Sequence, residues 1–154
     1  VYKRQIEYIC KRFENTGKHI SPELAEEICR LVDNHSSYVQ QLSWLLWIRT
    51  INTATTEQLT YALEDLLDQN NILFQSETEN LSAYQMNFLK AIVDGIHTKF
   101  SSKEVISKYN LGTSANIVRL KNALLQKELI ETNGKEIVLA DPVFGVWFKK
   151  EMLY

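Results

Sequence analysis

The dipeptide Asn133-Gly134 constrains this 154-residue chain more than any other feature. It lies between Leu129-Ile130-Glu131-Thr132 and Glu136-Ile137-Val138-Leu139, two short runs whose apolar and β-branched residues favour extended backbone. Asn and Gly both tolerate positive φ, so the segment is expected to be a β-hairpin. A strict two-residue loop of Asn133 and Gly134 would set Glu131 opposite Glu136, a like-charge pair costing about a few tenths of a kcal/mol, which leaves the register open.

The residues ahead of the hairpin have helical spacing. Ser82 with Gln85 makes a capping box before Met86, Leu89, Ile92 and Val93, and Gly95 closes that helix. Ser101 with Glu104 is expected to cap a short helix bearing Val105, Ile106 and Tyr109, which stops at Asn110-Leu111-Gly112. Thr113 or Ser114 then starts a helix through Ile117, Val118, Leu120, Leu124 and Leu125, giving helix-turn-helix spacing. Asp141-Pro142 opens a last helix with Val143, Phe144, Val146, Trp147 and Phe148. A helix-turn-helix followed by a hairpin is a winged helix, expected over residues 81–154.

The first half contains no comparable strand signal. Five Gly and two Pro in the whole chain leave few breakers, so helices joined by short loops are expected. One helix begins at once with Tyr2, Ile6, Ile9, Cys10 and Phe13 and closes at Gly17. A second follows Ser21-Pro22 to about Asp33, a third covers roughly Tyr38 to Thr50, and a fourth runs from a Thr55/Gln58 capping box to about Asn70. The third is apolar nearly all round, so it is either central or turned toward a partner. Tyr38, Trp44, Trp47 and Trp147 are expected in the core, with an interface as the alternative. The fold class is therefore mainly α: a four-helix bundle over 1–80, then the winged helix with its hairpin wing. Helical spacing from Tyr2, with no capping residue ahead of it, implies a further domain upstream.

Several chemistries lack the residues they need. A net charge of −2 and a pI near 6.0 give no global field for nucleic acid or an anionic membrane. The most apolar stretch, Leu42 to Ile48, is broken by Ser43 and is too short to cross a bilayer. His19, His35 and His97 are far apart in sequence and not at metal-ligand spacing, and no motif joins a nucleophile to a base, so no metal site and no catalytic residue is assigned. No G-x-x-x-x-G-K-[ST] occurs, so isolated ATPase activity is not expected. Cys10 and Cys29, without C-x-x-C spacing, suit a reduced, cytoplasmic chain.

The run LGTSANIVRLKNALLQKELIETNGKEIVLADPVFGVWFKK resembles the C-terminal winged helix of prokaryotic P-loop ATPases of the archaeal-type ATPase family, in the AAA+ and STAND group. Ahead of it, ISPELAEEICRLVDNHSSYVQQLSWLLWIRT is similar to the helical lid of the same proteins. The resemblance implies an upstream P-loop domain of the same chain, with ATP and Mg bound in the intact protein and none in this part. In that family the lid helix starts at a G-x-P or N-H-P motif lying against the adenine. The matching residues are Asn34, His35 and Ser36, with Ser36 where the family has proline and Asn34 where it commonly has glycine. Read on their own, these three are a turn between helices with Ser36 as N-cap.

The resemblance implies that the winged helix passes the nucleotide state to a partner, a protein or DNA. If Ile117, Leu120 and Leu124 point inward, the opposite face carries Ala115, Asn116, Arg119, Asn122, Ala123 and Gln126. Arg can read guanine, and Asn or Gln adenine, in a major groove. The DNA candidates are Thr113, Ser114, Asn116, Arg119 and wing Lys135. The other readings are a packing and regulatory module, or a free-standing transcription regulator whose acidic helices dimerise.

Overall fold

The protein, in a computed structural model, is described over residues 2–153. Among these residues are eight helices and one two-stranded antiparallel hairpin, so the chain is mainly α as its shortage of turn-formers requires. It divides into two compact units between Asn71 and Ile72.

The first unit holds α1 (Lys3–Asn15), α2 (Pro22–Leu31), α3 (Ser36–Arg49) and the first part of α4 (Thr56–Glu79). Gly17 ends α1 with φ +78°, and the Lys18 N–H donates to the Phe13 carbonyl at 3.0 Å, the long-range bond of a Schellman cap. Ser21 Oγ accepts from the Leu24 N–H at 3.1 Å with Pro22 at the first helical position, as the sequence predicts. The Thr55/Gln58 capping box also forms, with Gln58 N–H to Thr55 Oγ1 at 3.2 Å and Thr55 N–H to Gln58 Oε1 at 3.0 Å. Ile9, Phe13, Ile28, Leu42, Leu46 and Leu66 are buried. Each such side chain contributes about 1.5 to 3 kcal/mol on leaving water. His19 and Thr53 form an isolated parallel bridge, with the His19 N–H bonded to Asn52 O at 2.8 Å, which ties the loop after α1 to the loop after α3.

Two helix ends differ from expectation. α2 stops at Leu31 because the chain turns left-handed at Asp33 and Asn34. α4 continues past Asn70 to Glu79: no Gly or Pro interrupts it, and the buried Phe74 and Thr78 give its last turns an inward face.

The second unit holds those last turns together with α5 (Ala83–Val93), α6 (Lys103–Tyr109), α7 (Ser114–Gln126), β1 (Ile130–Asn133), β2 (Glu136–Leu139) and α8 (Pro142–Met152). The Ser82/Gln85 capping box is present at the start of α5. α6 is capped by Ser102 rather than Ser101, since it is the Ser102 hydroxyl that the Val105 N–H reaches, at 3.3 Å. The hairpin pairs Asn133 with Glu136, so its loop is Gly134-Lys135 and not Asn133-Gly134. That register sets Glu131 against Val138 and removes the like-charge pair. It also places Gly134, at φ +63°, in the first loop position, where a type II′ turn needs glycine. Ile130, Ile137 and Leu139 then share one face, and a one-residue slip of either strand would split them between the two faces. The outer edge of β2 is not left open: the Ile137 N–H donates to the His97 carbonyl at 2.9 Å. Inside, Phe74 meets Phe144 edge-on at 5.4 Å between centroids and Trp147 at 5.6 Å, while Phe88 stacks on Phe100 at 4.5 Å. Trp147 is fully buried, as expected of a core aromatic; Trp44 is not.

Candidate functional site

Two places carry the residues singled out from the sequence, one in each unit. In the first unit the turn from α2 to α3 is a second Schellman cap. The Asn34 N–H donates to Cys29 O at 2.7 Å and the Asp33 N–H to Arg30 O at 3.2 Å, while Asp33 and Asn34 adopt φ +50° and +52°. Asx residues tolerate this left-handed conformation better than most, which is why the reversal falls on this pair. The His35 carbonyl accepts the first bond of α3, from the Val39 N–H at 2.8 Å, so the N-cap is His35 and Ser36 is the first helical residue. The His35 side chain makes no cap bond and lies against Tyr38 at 4.9 Å between ring centroids. The amides of Ser36 and Ser37 therefore meet no protein acceptor among the described residues, and the helix dipole adds to their positive end. Asn34 Oδ1 is buried without a hydrogen-bond partner, an arrangement that costs about 1 to 3 kcal/mol unless a donor completes it.

In the second unit the turn from α6 to α7 positions the face proposed for nucleic acid. Asn110 closes α6 at φ +53°, Asn87 Nδ2 donates to its carbonyl at 3.0 Å, and the buried Leu111 anchors the turn. Gly112 sits at φ +87°, and a Cβ there would lie 3.0 Å from Asn116 Nδ2 and 3.4 Å from the Tyr84 ring. Thr113 is the N-cap of α7 without a side-chain cap bond. Ile117, Leu120 and Leu124 point inward as expected. Ala115, Val118, Arg119, Asn122, Ala123 and Gln126 line one shallow, open face. Arg119 Nη2 donates to Asn116 Oδ1, so those two candidates act as a pair. Thr113 and Ser114 are exposed one turn earlier. Ser114 also borders a depression with Ser101, Lys103, Ser107 and Asn110, residues that the sequence did not bring together with it. Lys135 is exposed in the wing loop, with no hydrogen bond or ion pair to α7 among the described residues. Val118, grouped with the inward residues by its apolar character, is 64% exposed in the middle of the outer face.

Other titratable groups have structural explanations. Burial pushes the Cys10 and Cys29 thiols up, so neither is an activated nucleophile. Partial desolvation, then the nearby Asp141 carboxylate, raises Glu77. Among the described residues no group of His, Cys, Asp and Glu could hold a metal ion, and no helix is long and apolar enough to cross a membrane.

Residues 72–150 match the family model described as a probable winged helix domain. No curated protein matches the chain. Among solved structures, the Walker-type ATPase of Pyrococcus abyssi aligns with a TM-score of 0.70 at 19% identity, over 96% of this chain and 41% of that one. The chain thus spans well under half the length of that neighbour, and the likeness is one of fold.

Proposed function

The chain belongs to the winged-helix family through residues 72–150, and from that premise we propose that it is the lid and winged-helix part of a Walker-type, ATP-binding ATPase. The observation that carries this reading is the extent of the fold likeness: almost the whole chain, both units included, aligns with a minor part of an ATPase chain, and the remainder of that chain has room for a nucleotide-binding core. The first unit would close over ATP and Mg held by a P-loop domain upstream. Asn34, His35 and Ser36 would lie nearest the nucleotide. Free amides at a helix N-terminus favour polar or negative groups, and the unpaired Asn34 oxygen is an acceptor suited to an amine such as that of adenine. The winged helix would pass the resulting change to a partner, protein or DNA.

The test is on the full-length gene product. A Walker A motif upstream, ATP hydrolysis, and weaker nucleotide binding by Asn34→Ala and His35→Ala variants are expected. A gene product with no P-loop, or nucleotide affinity indifferent to both variants, refutes the lid assignment. The second reading, direct DNA binding, is favoured by one observation, the exposed Arg119, Asn122 and Gln126 along α7, with the half-buried Asn116 bonded to Arg119. A low-salt gel shift that Arg119→Ala weakens would support it, and no shift would end it.

A further inference from the structure

The first unit has an open groove between α1 and α3 that neither proposed role uses. It has a volume of about 410 Å³ and is lined by Tyr8, Ile9, Phe13, Val39, Trp44 and Trp47, with Gln5, Arg12 and Gln40 at its rim. Its apolar lip is exposed to an unusual degree: Trp44 is 59% and Tyr8 49% accessible, and Ile48 continues the Trp44 stripe one turn further along α3. The sequence already marked α3 as apolar nearly all round, and this is the side that the unit's own core leaves uncovered.

The groove also has a sign. No carboxylate lines it. Arg12 is held along the rim by a 2.9 Å bond to the Tyr8 hydroxyl, with its guanidinium 5.7 Å from the centre of that ring. Lys18 Nζ sits 3.9 Å from the Trp47 ring centre and donates to the Trp47 carbonyl at 2.7 Å. Neither cation has an acidic partner among the described residues, so both leave positive potential beside an aromatic floor. Ser43 also lines the groove, and its Oγ is buried without a hydrogen-bond partner. The lining residues run along α1 from Gln5 to Thr16 and along α3 from Val39 to Trp47, or roughly 12 to 16 Å at the helical rise.

We propose that this groove docks an acidic amphipathic helix of a partner protein, about three turns long. Its apolar residues at three-and-four spacing would lie between Tyr8, Trp44 and Trp47, and its carboxylates would face Arg12 and Lys18. The groove length sets the number of turns, and the unneutralised cations set the sign of the charge. The proposal is independent of the ATPase reading, since Asn34, His35 and Ser36 do not line the groove and it needs no nucleotide.

The test uses a display library of helix-stabilised peptides about 14 residues long, randomised without charge bias, selected on the protein and counter-selected on its Trp44→Ala variant. Trp44 is mostly exposed, so this change leaves the core intact, and circular dichroism checks that it does. Recovered peptides are expected to show helical apolar spacing and net negative charge. By fluorescence anisotropy, Trp44→Ala should weaken a synthesised winner about tenfold or more. The double variant Arg12→Glu, Lys18→Glu should reverse preference toward a version with Lys in place of Glu. Failure to recover any peptide that separates the protein from Trp44→Ala, winners that are neutral or basic, or binding unmoved by charge reversal overturns the proposal. So does a Trp44-dependent dimer in sedimentation, which would mean that the groove is filled by a second copy.

Discussion

Phe74 lies within α4 but belongs to the winged-helix unit, and replacing it should show how far that unit depends on the end of the preceding helix. The side chain is 1% exposed and touches both Phe144 and Trp147. Removing the ring loses about 1.5 to 3 kcal/mol of transfer energy and two aromatic contacts of about 0.5 to 1.5 kcal/mol each. These sum to about 2.5 to 6 kcal/mol, which brackets the roughly 3 to 5 kcal/mol typical of Phe→Ala in a core. Against a total stability of about 5 to 15 kcal/mol, a loss near 4 kcal/mol is large. At roughly 4 to 8 °C per kcal/mol for a small domain, the second unit should melt on the order of 20 °C lower. A Trp44→Phe, Trp47→Phe background leaves Trp147 as the fluorescence reporter of that unit. Leu73→Ala is the control, because Leu73 is 56% exposed and should cost within about 0.5 kcal/mol. By the same argument, a segment starting at residue 72 should be more stable than one starting at 81, which lacks Phe74. If Phe74→Ala shifts the Trp147 transition no more than Leu73→Ala does, the packing argument fails.

Gly112→Ala combines a left-handed φ with a Cβ 3.0 Å from Asn116 Nδ2 and should destabilise by about 1 to 2 kcal/mol in urea denaturation, whereas the same change at an unstrained site would stabilise. Asp141→Ala removes the Oδ1 acceptor of the Val143 and Phe144 amides, at 2.9 and 3.2 Å, and should cost about 0.5 to 2 kcal/mol; Asp141→Asn should recover much of it. Partial desolvation, then Asp141, raises Glu77 although the residue is exposed, so the folded state binds its proton more tightly than the unfolded state does. Its stabilising contribution is complete below the unfolded pKa and is lost as pH rises through the folded one. Glu77→Gln should therefore raise the melting temperature at about pH 7 and lose that advantage toward about pH 4; an advantage that does not depend on pH would refute the assignment.

Features that rest on neighbouring residues were legible in the sequence. Ser21-Pro22, Thr55 with Gln58, Ser82 with Gln85 and Asp141-Pro142 all act within one helical turn, and all four helix starts form where their spacing places them. Where two residues could play the same part, local chemistry did not choose. Ser101 and Ser102 both offer a hydroxyl, and Asn133-Gly134 and Gly134-Lys135 both make a two-residue loop. Longer-range pairing decides such cases: in the hairpin, the observed register sets Ile130 against Leu139 and moves Glu131 out of direct opposition to Glu136. Val118 shows the limit of periodicity, since its apolar side chain counts toward a helical stripe whether it faces the core or solvent. The α1–α3 groove was out of reach for a different reason. Tyr8, Trp44 and Trp47 become one surface only when two helices about thirty residues apart in sequence lie side by side.

The salt dependence of any DNA binding separates the two partner classes. Each phosphate neutralised by a cation contributes about −0.9 to the slope of log K against log salt. The exposed cations of α6, α7 with its C-cap, and the wing are Lys103, Lys108, Arg119, Lys127 and Lys135. Arg119 is engaged with Asn116, and Lys135 shares its hairpin with the exposed Glu131 and Glu136. Five contacts at most would give a slope no steeper than about −4.5, against the steeper dependence of proteins that make 6 to 10 phosphate contacts. Val118 at the centre of the face adds an apolar contact suited to a thymine methyl or to a protein surface, and it is insensitive to salt. A gel shift between about 20 and 200 mM salt should therefore yield either a slope no steeper than about −4.5, with Val118→Ala weakening binding, or no complex at all. A slope near −7 or beyond would mean that more cations reach the phosphates than α6, α7 and the wing present, and the α7 face would not be the binding surface.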